Sequence, residues 1–110
     1  MQLLSRPARL FDGPVPVNKL VSIPVAGIMG IAANAIGAVL TLRVVAAPKA
    51  GWVYAGPDQG AVPTVSTLDY AAGLTCDGFP IVALTEGRLT VYSTQPLGRL
   101  VIDATGFLAN

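Results

Sequence analysis

Turn-forming residues cut this chain into short pieces. It holds 12 Gly and 9 Pro in 110 residues, a density that leaves little room for long helices. The pieces between the turns read as strands. Residues 20–25, 38–45, 51–55, 64–70, 79–84, 88–93 and 99–104 are apolar, β-branched or alternating. Gly60, Ala72-Gly73, Asp77-Gly78, Glu86-Gly87 and Pro96-Leu97-Gly98 separate them. Short strands at this spacing predict an all-β fold, an antiparallel β-sandwich of jelly-roll or immunoglobulin-like type. Pro7, Pro14 and Pro16 interrupt ladder pairing in the first residues, which predicts an extended, Pro-rich N-terminal arm over 1–18. The β-sandwich domain is then 19–110, a single core by length.

The uncharged stretch between Lys19 and Arg43 is long enough to cross a bilayer as a helix, which takes ~20 residues. Pro24, Gly27, Gly30 and Gly37 argue against that helix, and no Trp or Tyr marks its ends. Strand, Gly-rich turn, strand is the better reading, with a helical turn at most over 31–36. No membrane partner is expected. The N-terminus lacks the basic and apolar regions of a secretory signal. Taking Met1 as the start, the chain is made and assembled in the cytoplasm.

What the chain lacks narrows its chemistry. It contains no His and one Cys. The commonest general base and metal ligand is missing, and neither an internal disulfide nor a cysteine-built zinc site can form. A net charge of +1 gives no nucleic-acid footprint. No catalytic residue, metal site or cofactor is expected. Ser66, Ser93, Thr41 and Thr90 have no base, and Lys19 and Lys49 read as solvated. Cys76 reads as a small apolar residue. Gly27-Ile28-Met29-Gly30 lacks the Lys and Ser/Thr of a phosphate loop and reads as a turn. Most of the carboxylates sit beside turn residues. Asp103 instead lies within an apolar strand and needs a partner. Arg9 or Arg43 can supply a bidentate bond, and the pair Arg9–Asp103 is the expectation. Calcium held by Asp12 and Asp103 has no recognised loop spacing behind it.

Apolar residues make up 53% of the chain and charged ones 12%. That apolar share exceeds the needs of a small core and predicts a covered surface. Phe11, Ile28, Met29, Ile31 and Leu97, in arm or turn contexts, are the expected partner interface. Trp52 is expected in the core. Tyr54, Tyr70 and Tyr92 are the candidates for stacking against a glycan, their hydroxyls wet at strand ends.

Several segments occur in the order of a known module. Pro63-Thr64-Val65-Ser66-Thr67-Leu68-Asp69-Tyr70-Ala71-Ala72-Gly73-Leu74-Thr75 is similar to P-T-A-S-N-L-N-F-A-A-G-Q-T. Arg9-Leu10-Phe11-Asp12, Val25-Ala26-Gly27, Gly51-Trp52-Val53-Tyr54, Arg88-Leu89-Thr90-Val91-Tyr92 and residues 100–107 follow its remaining pieces. From residue 9 onward the chain resembles the β-sandwich surface module of actinobacterial secreted proteins. It departs from that pattern at Gly13-Pro14, at Arg43 and in standing alone. A solitary copy resembles the small modules of actinobacteriophage virions. The resemblance implies no catalytic site and a structural or binding role. The expectation is a capsid decoration protein on the virion exterior, assembled in the host cytoplasm. Its partners would be the major capsid protein and further copies of itself, as a trimer. The alternative is a carbohydrate- or cell-wall-binding module of a phage tail or bacterial surface protein.

Overall fold

The computed structural model describes residues 1–109. Nine strands follow one another, with no helix among the described residues: β1 (Gln2–Val15), β2 (Val21–Pro24), β3 (Ala35–Val44), β4 (Gly51–Gly56), β5 (Leu68–Tyr70), β6 (Cys76–Gly78), β7 (Ile81–Ala83), β8 (Arg88–Ser93) and β9 (Leu97–Ala109). All pairing is antiparallel. One sheet runs β1-β9-β3, with β6 and β7 sharing the far edge of β3; the other runs β2-β8-β4-β5. The two sheets pack face to face as a β-sandwich, in a slab about 39 × 30 × 18 Å.

Period-two alternation sorts the side chains. On β3, Ala38, Leu40, Leu42 and Val44 point inward and are buried, while Val39, Thr41 and Arg43 point out. On β9, Leu100, Ile102 and Ala104 point inward. Ile23, Leu89, Val91, Val53 and Ala55 close the core from the second sheet. The uncharged stretch between Lys19 and Arg43 forms β2, a tight Gly27–Gly30 turn and most of β3. Among the described residues no helix is long and apolar enough to cross a membrane.

The N-terminal segment corrects the sequence reading. It is extended, but Gln2–Val15 is not an arm outside the domain; it pairs along β9 as an edge strand of the first sheet. The prolines do interrupt the ladder, and only locally. Pro7 falls in the register shift between Leu3 and Ala8, and Pro14 in that between Gly13 and Val15. A missing N–H costs no ladder bond at either place. Two other boundaries move. Residues 76–78, read as a turn, form β6 against β3. Residues 64–67 pair as no strand. The Thr67 hydroxyl instead accepts from the Ala55 amide at 2.8 Å and donates to the Ala55 carbonyl at 3.0 Å. A side chain there occupies the place of a ladder partner.

The turn at Glu86-Gly87 is the tightest junction. Both residues have positive φ, 52° and 75°, the geometry of a two-residue turn with mirror-image twist. The Gly87 carbonyl accepts from both Val25 and Ala26, at 3.0 and 2.9 Å. A Cβ at Gly87 would stand 2.7 Å from that of Ala26. Gly87→Ala should therefore destabilise the fold by about 1–3 kcal/mol in urea unfolding. Gly98→Ala, where a Cβ meets nothing within 4 Å, should leave the midpoint unchanged.

Candidate functional site

The outer face of the first sheet carries the chain's main charge cluster. Register explains how it assembles. β9 sends Arg99, Val101 and Asp103 outward, alternating with buried Leu100 and Ile102. Asp103 pairs with Thr41 on one side and Arg9 on the other. Val101 pairs with Arg43 and Asp12, and Arg43 in turn with Asp77. Between Arg9 and Asp12 the register shifts by one residue at Leu10. That bulge puts two residues three apart on the same outer face and turns Phe11 inward, opposite Ile102.

Three arginines and three aspartates then interlock. Arg43 donates through Nε and Nη2 to the two oxygens of Asp77, at 2.8 and 3.0 Å. Arg99 makes the same fork onto Asp12, also at 2.8 and 3.0 Å, across the β1–β9 diagonal. Arg9 donates from Nε to Oδ1 of Asp103 at 2.5 Å, from Nη2 to Oδ2 at 3.4 Å and from Nη1 to Asp12 at 3.2 Å. The cluster is electrically balanced. Hydrogen bonding from Arg99 holds the Asp12 carboxyl below its ordinary 3.8, and Arg43 does the same for Asp77.

These side chains border an open groove of about 550 Å³. Thr41, Arg43, Val101 and Asp103 line it from the sheet, with Arg9 and Arg99 on the β1–β9 side and Thr75, Asp77 and Phe79 on the other. Phe79 follows directly after β6 and is 73% exposed. Neither Phe79 nor the Arg43–Asp77 fork was singled out by the sequence reading. The signal available was Phe79 beside Pro80, an aromatic flanked by a residue that ends a strand.

The expected site residues fall elsewhere. Arg9 and Asp103 do meet, but Asp103 is half-buried on the outer face and not in the core. Arg9 sits between Asp103 and Asp12, so the two carboxylates face a guanidinium where a cation would need them free. Of the five expected interface residues only Met29 is exposed. Ile31 and Leu97 are core, and Phe11 and Ile28 are half-buried. Ile31 is drawn in because its amide closes the turn onto the Ile28 carbonyl at 2.8 Å.

Tyr54, Tyr70 and Tyr92 form no stacking platform; each is about 95% buried, with exposures of 5, 4 and 5%. Two of them lie over strand glycines. A Cβ on Gly56 would meet the Tyr54 hydroxyl at 2.8 Å, and one on Gly51 the Tyr70 hydroxyl at 2.8 Å. Their hydroxyls are bonded within the fold: Tyr54 donates to the Pro57 carbonyl, Tyr92 to Asn18, and Tyr70 shares a bond with buried Ser93. Burial pushes the Tyr54 phenol up. Trp52, expected in the core, is half-exposed and lies tilted against Tyr92, ring centroids 6.2 Å apart.

The sign of the acid response follows from the two depressed carboxyls. Their contribution to stability is present above the unfolded value and is lost as pH falls through the lower folded value. Titration followed by carboxyl ¹³C NMR should give Asp12 and Asp77 midpoints below 3.8. Arg43→Gln should return Asp77 upward and leave Asp12 unmoved.

No protein family, no curated protein and no solved structure matches the chain.

Proposed function

We propose that this chain is a non-enzymatic structural protein of a virion, a capsid decoration protein that joins neighbouring copies and shell subunits as a small homo-oligomer. One observation carries the reading: an unpartnered apolar row crosses the outer face of the first sheet, next to the ion-pair cluster. Leu3 pairs with Gly106, Gly106 with Val39 and Val39 with Ile81. A Cβ on Gly106 would touch both Leu3 and Val39 at 3.5 Å, so the three side chains share one face. Leu3 and Ile81 are 69% and 64% exposed. Around the β1 edge, Met29 extends the row, 65% exposed and beside Leu3 and Leu4.

Apolar surface of this extent is stabilised when covered. The slab geometry suits it. The row lies on a broad face, about 39 × 30 Å across, and a standard interface takes ~800 Å² from each partner. Many such contacts around a closed shell gain by multivalency. The resemblance of its segments to a β-sandwich module with no catalytic site agrees with a structural or binding role. The charges beside the row fix orientation more than they add affinity.

Light scattering of the purified chain should give a trimer, and Leu3→Glu with Ile81→Glu should convert it to monomer with an unchanged CD spectrum. Wild-type chain that stays monomeric and fails to sediment with assembled shells overturns the proposal.

A further inference from the structure

We infer that the groove between the ion-pair cluster and Phe79 is a binding site for a neutral oligosaccharide. This goes beyond the shell-contact reading and does not depend on it. Three features of the groove converge. Its volume of about 550 Å³ lies within the ~300–1,000 Å³ of small-ligand sites and leaves room for a short oligosaccharide. Its rim carries one exposed aromatic ring, Phe79, where burial would otherwise be expected for so large an apolar side chain. Its lining carries donors and acceptors together, Arg9, Arg43 and Arg99 beside Asp77, Asp103, Thr41 and Thr75, and Asp12 pairs Arg99 from outside the groove.

The balance of charge selects the ligand class. Arg9, Arg43 and Arg99 stand against Asp12, Asp77 and Asp103. An anion would meet a carboxylate beside each guanidinium, and a cation a guanidinium beside each carboxylate. A hydroxyl group needs neither, because it donates and accepts at once. The forks of Arg43 and Arg99 use Nε and Nη2, which leaves the Nη1 donors outside them. A carboxylate has about four lone-pair directions, and the Arg43 fork uses two on Asp77. Adjacent sugar hydroxyls can bridge such a donor and such an acceptor without breaking a pair. The ion pairs hold both groups in place beforehand, which lowers the ordering cost of binding. A pyranose ring adds an apolar C–H face, and that face matches the ring of Phe79 as the tyrosines, buried in the second sheet, cannot. Thr41 and Thr75 supply further hydroxyls along the groove.

The test is an amide ¹H–¹⁵N NMR titration of the full chain with neutral probes: maltotriose, cellotriose, mannotriose and chitotriose, with a trigalacturonate as the acidic counterpart. Saturable shifts at Thr41, Arg43, Val101 and Asp103 with at least one neutral probe are expected. Phe79→Ala, at an exposed site, should weaken that binding about tenfold, and Arg43→Gln should weaken it while Phe79 remains. Four results overturn the inference. They are no shift up to about 10 mM of any neutral probe, shifts confined to other surfaces, a response to the trigalacturonate alone, or a Phe79→Ala variant that binds as the wild type does. A Phe79→Ala change in oligomeric state without any sugar response would assign the groove to a second copy and overturn it as well. A wild-type chain that stays monomeric, fails to sediment with assembled shells and binds sugar would remove the shell-contact proposal and leave this one standing.

Discussion

Everything on the first sheet is set by β9, because it is the one strand that pairs along its length with two long neighbours. Thirteen residues run between β1 and β3. Their alternation decides which chemistry faces which way. Leu100, Ile102 and Ala104 anchor the core, and Arg99, Val101 and Asp103 reach outward between them. A slip of one residue would bury two charges and expose two of the best-buried side chains, so the register is strongly specified. The ion pairs and the groove depend on that register.

The bulges on the two long strands then divide the outer face. At Leu10 the extra residue brings Asp12 round to the same side as Arg9 and turns Phe11 to the core. At Thr105 the β9–β3 pairing shifts, so that Val39 faces Gly106 and Leu40 faces Ala104. On one side of Thr105 the outer rows are charged and on the other they are apolar. Gly106 sits under that apolar row because a side chain there would meet the Gln2 carbonyl at 2.9 Å. The row is thus low in the middle, with Leu3 and Ile81 standing at its ends.

Much of the fold was legible from turn chemistry. Glu86-Gly87 marked a real turn, and the alternation over 88–93 gave the bounds of β8. The core strands followed from apolar content. Less of the surface could be read, for a physical reason. Which way a side chain faces depends on counting by two along a strand, and one bulge inverts the count. Phe11 reads as a partner contact because nothing in Arg9-Leu10-Phe11-Asp12 announces the bulge that turns it inward. The tyrosines failed differently. Strand ends usually keep such hydroxyls wet, but Gly51 and Gly56 leave room for Tyr70 and Tyr54 to lie down over the backbone. A glycine paired with a tyrosine, or two residues from one, is the signal that could have found this. The N-terminal prolines predict an extended arm because they interrupt ladder pairing, whereas in the fold the interruption is confined to the register shifts at Pro7 and Pro14 and the rest of the segment pairs with β9.

The ion-pair cluster contributes little to holding the fold together, and this bears on what it does. Its arginines are more than half exposed, at 53–57% of the side chain, and exposed pairs are worth only ~0–1 kcal/mol. A sheet face that needed only solubility would do as well with isolated lysines, which also guard an edge against pairing with another chain. Instead the face carries planar, bidentate forks in register, with net charge cancelled and an aromatic ring at the rim. Forks of that kind fix the direction of donors and acceptors more firmly than flexible lysines do. The forks therefore do more to fix the direction of the charged groups than to stabilise the fold, and they lie on the same face as the apolar row of Leu3, Val39 and Ile81.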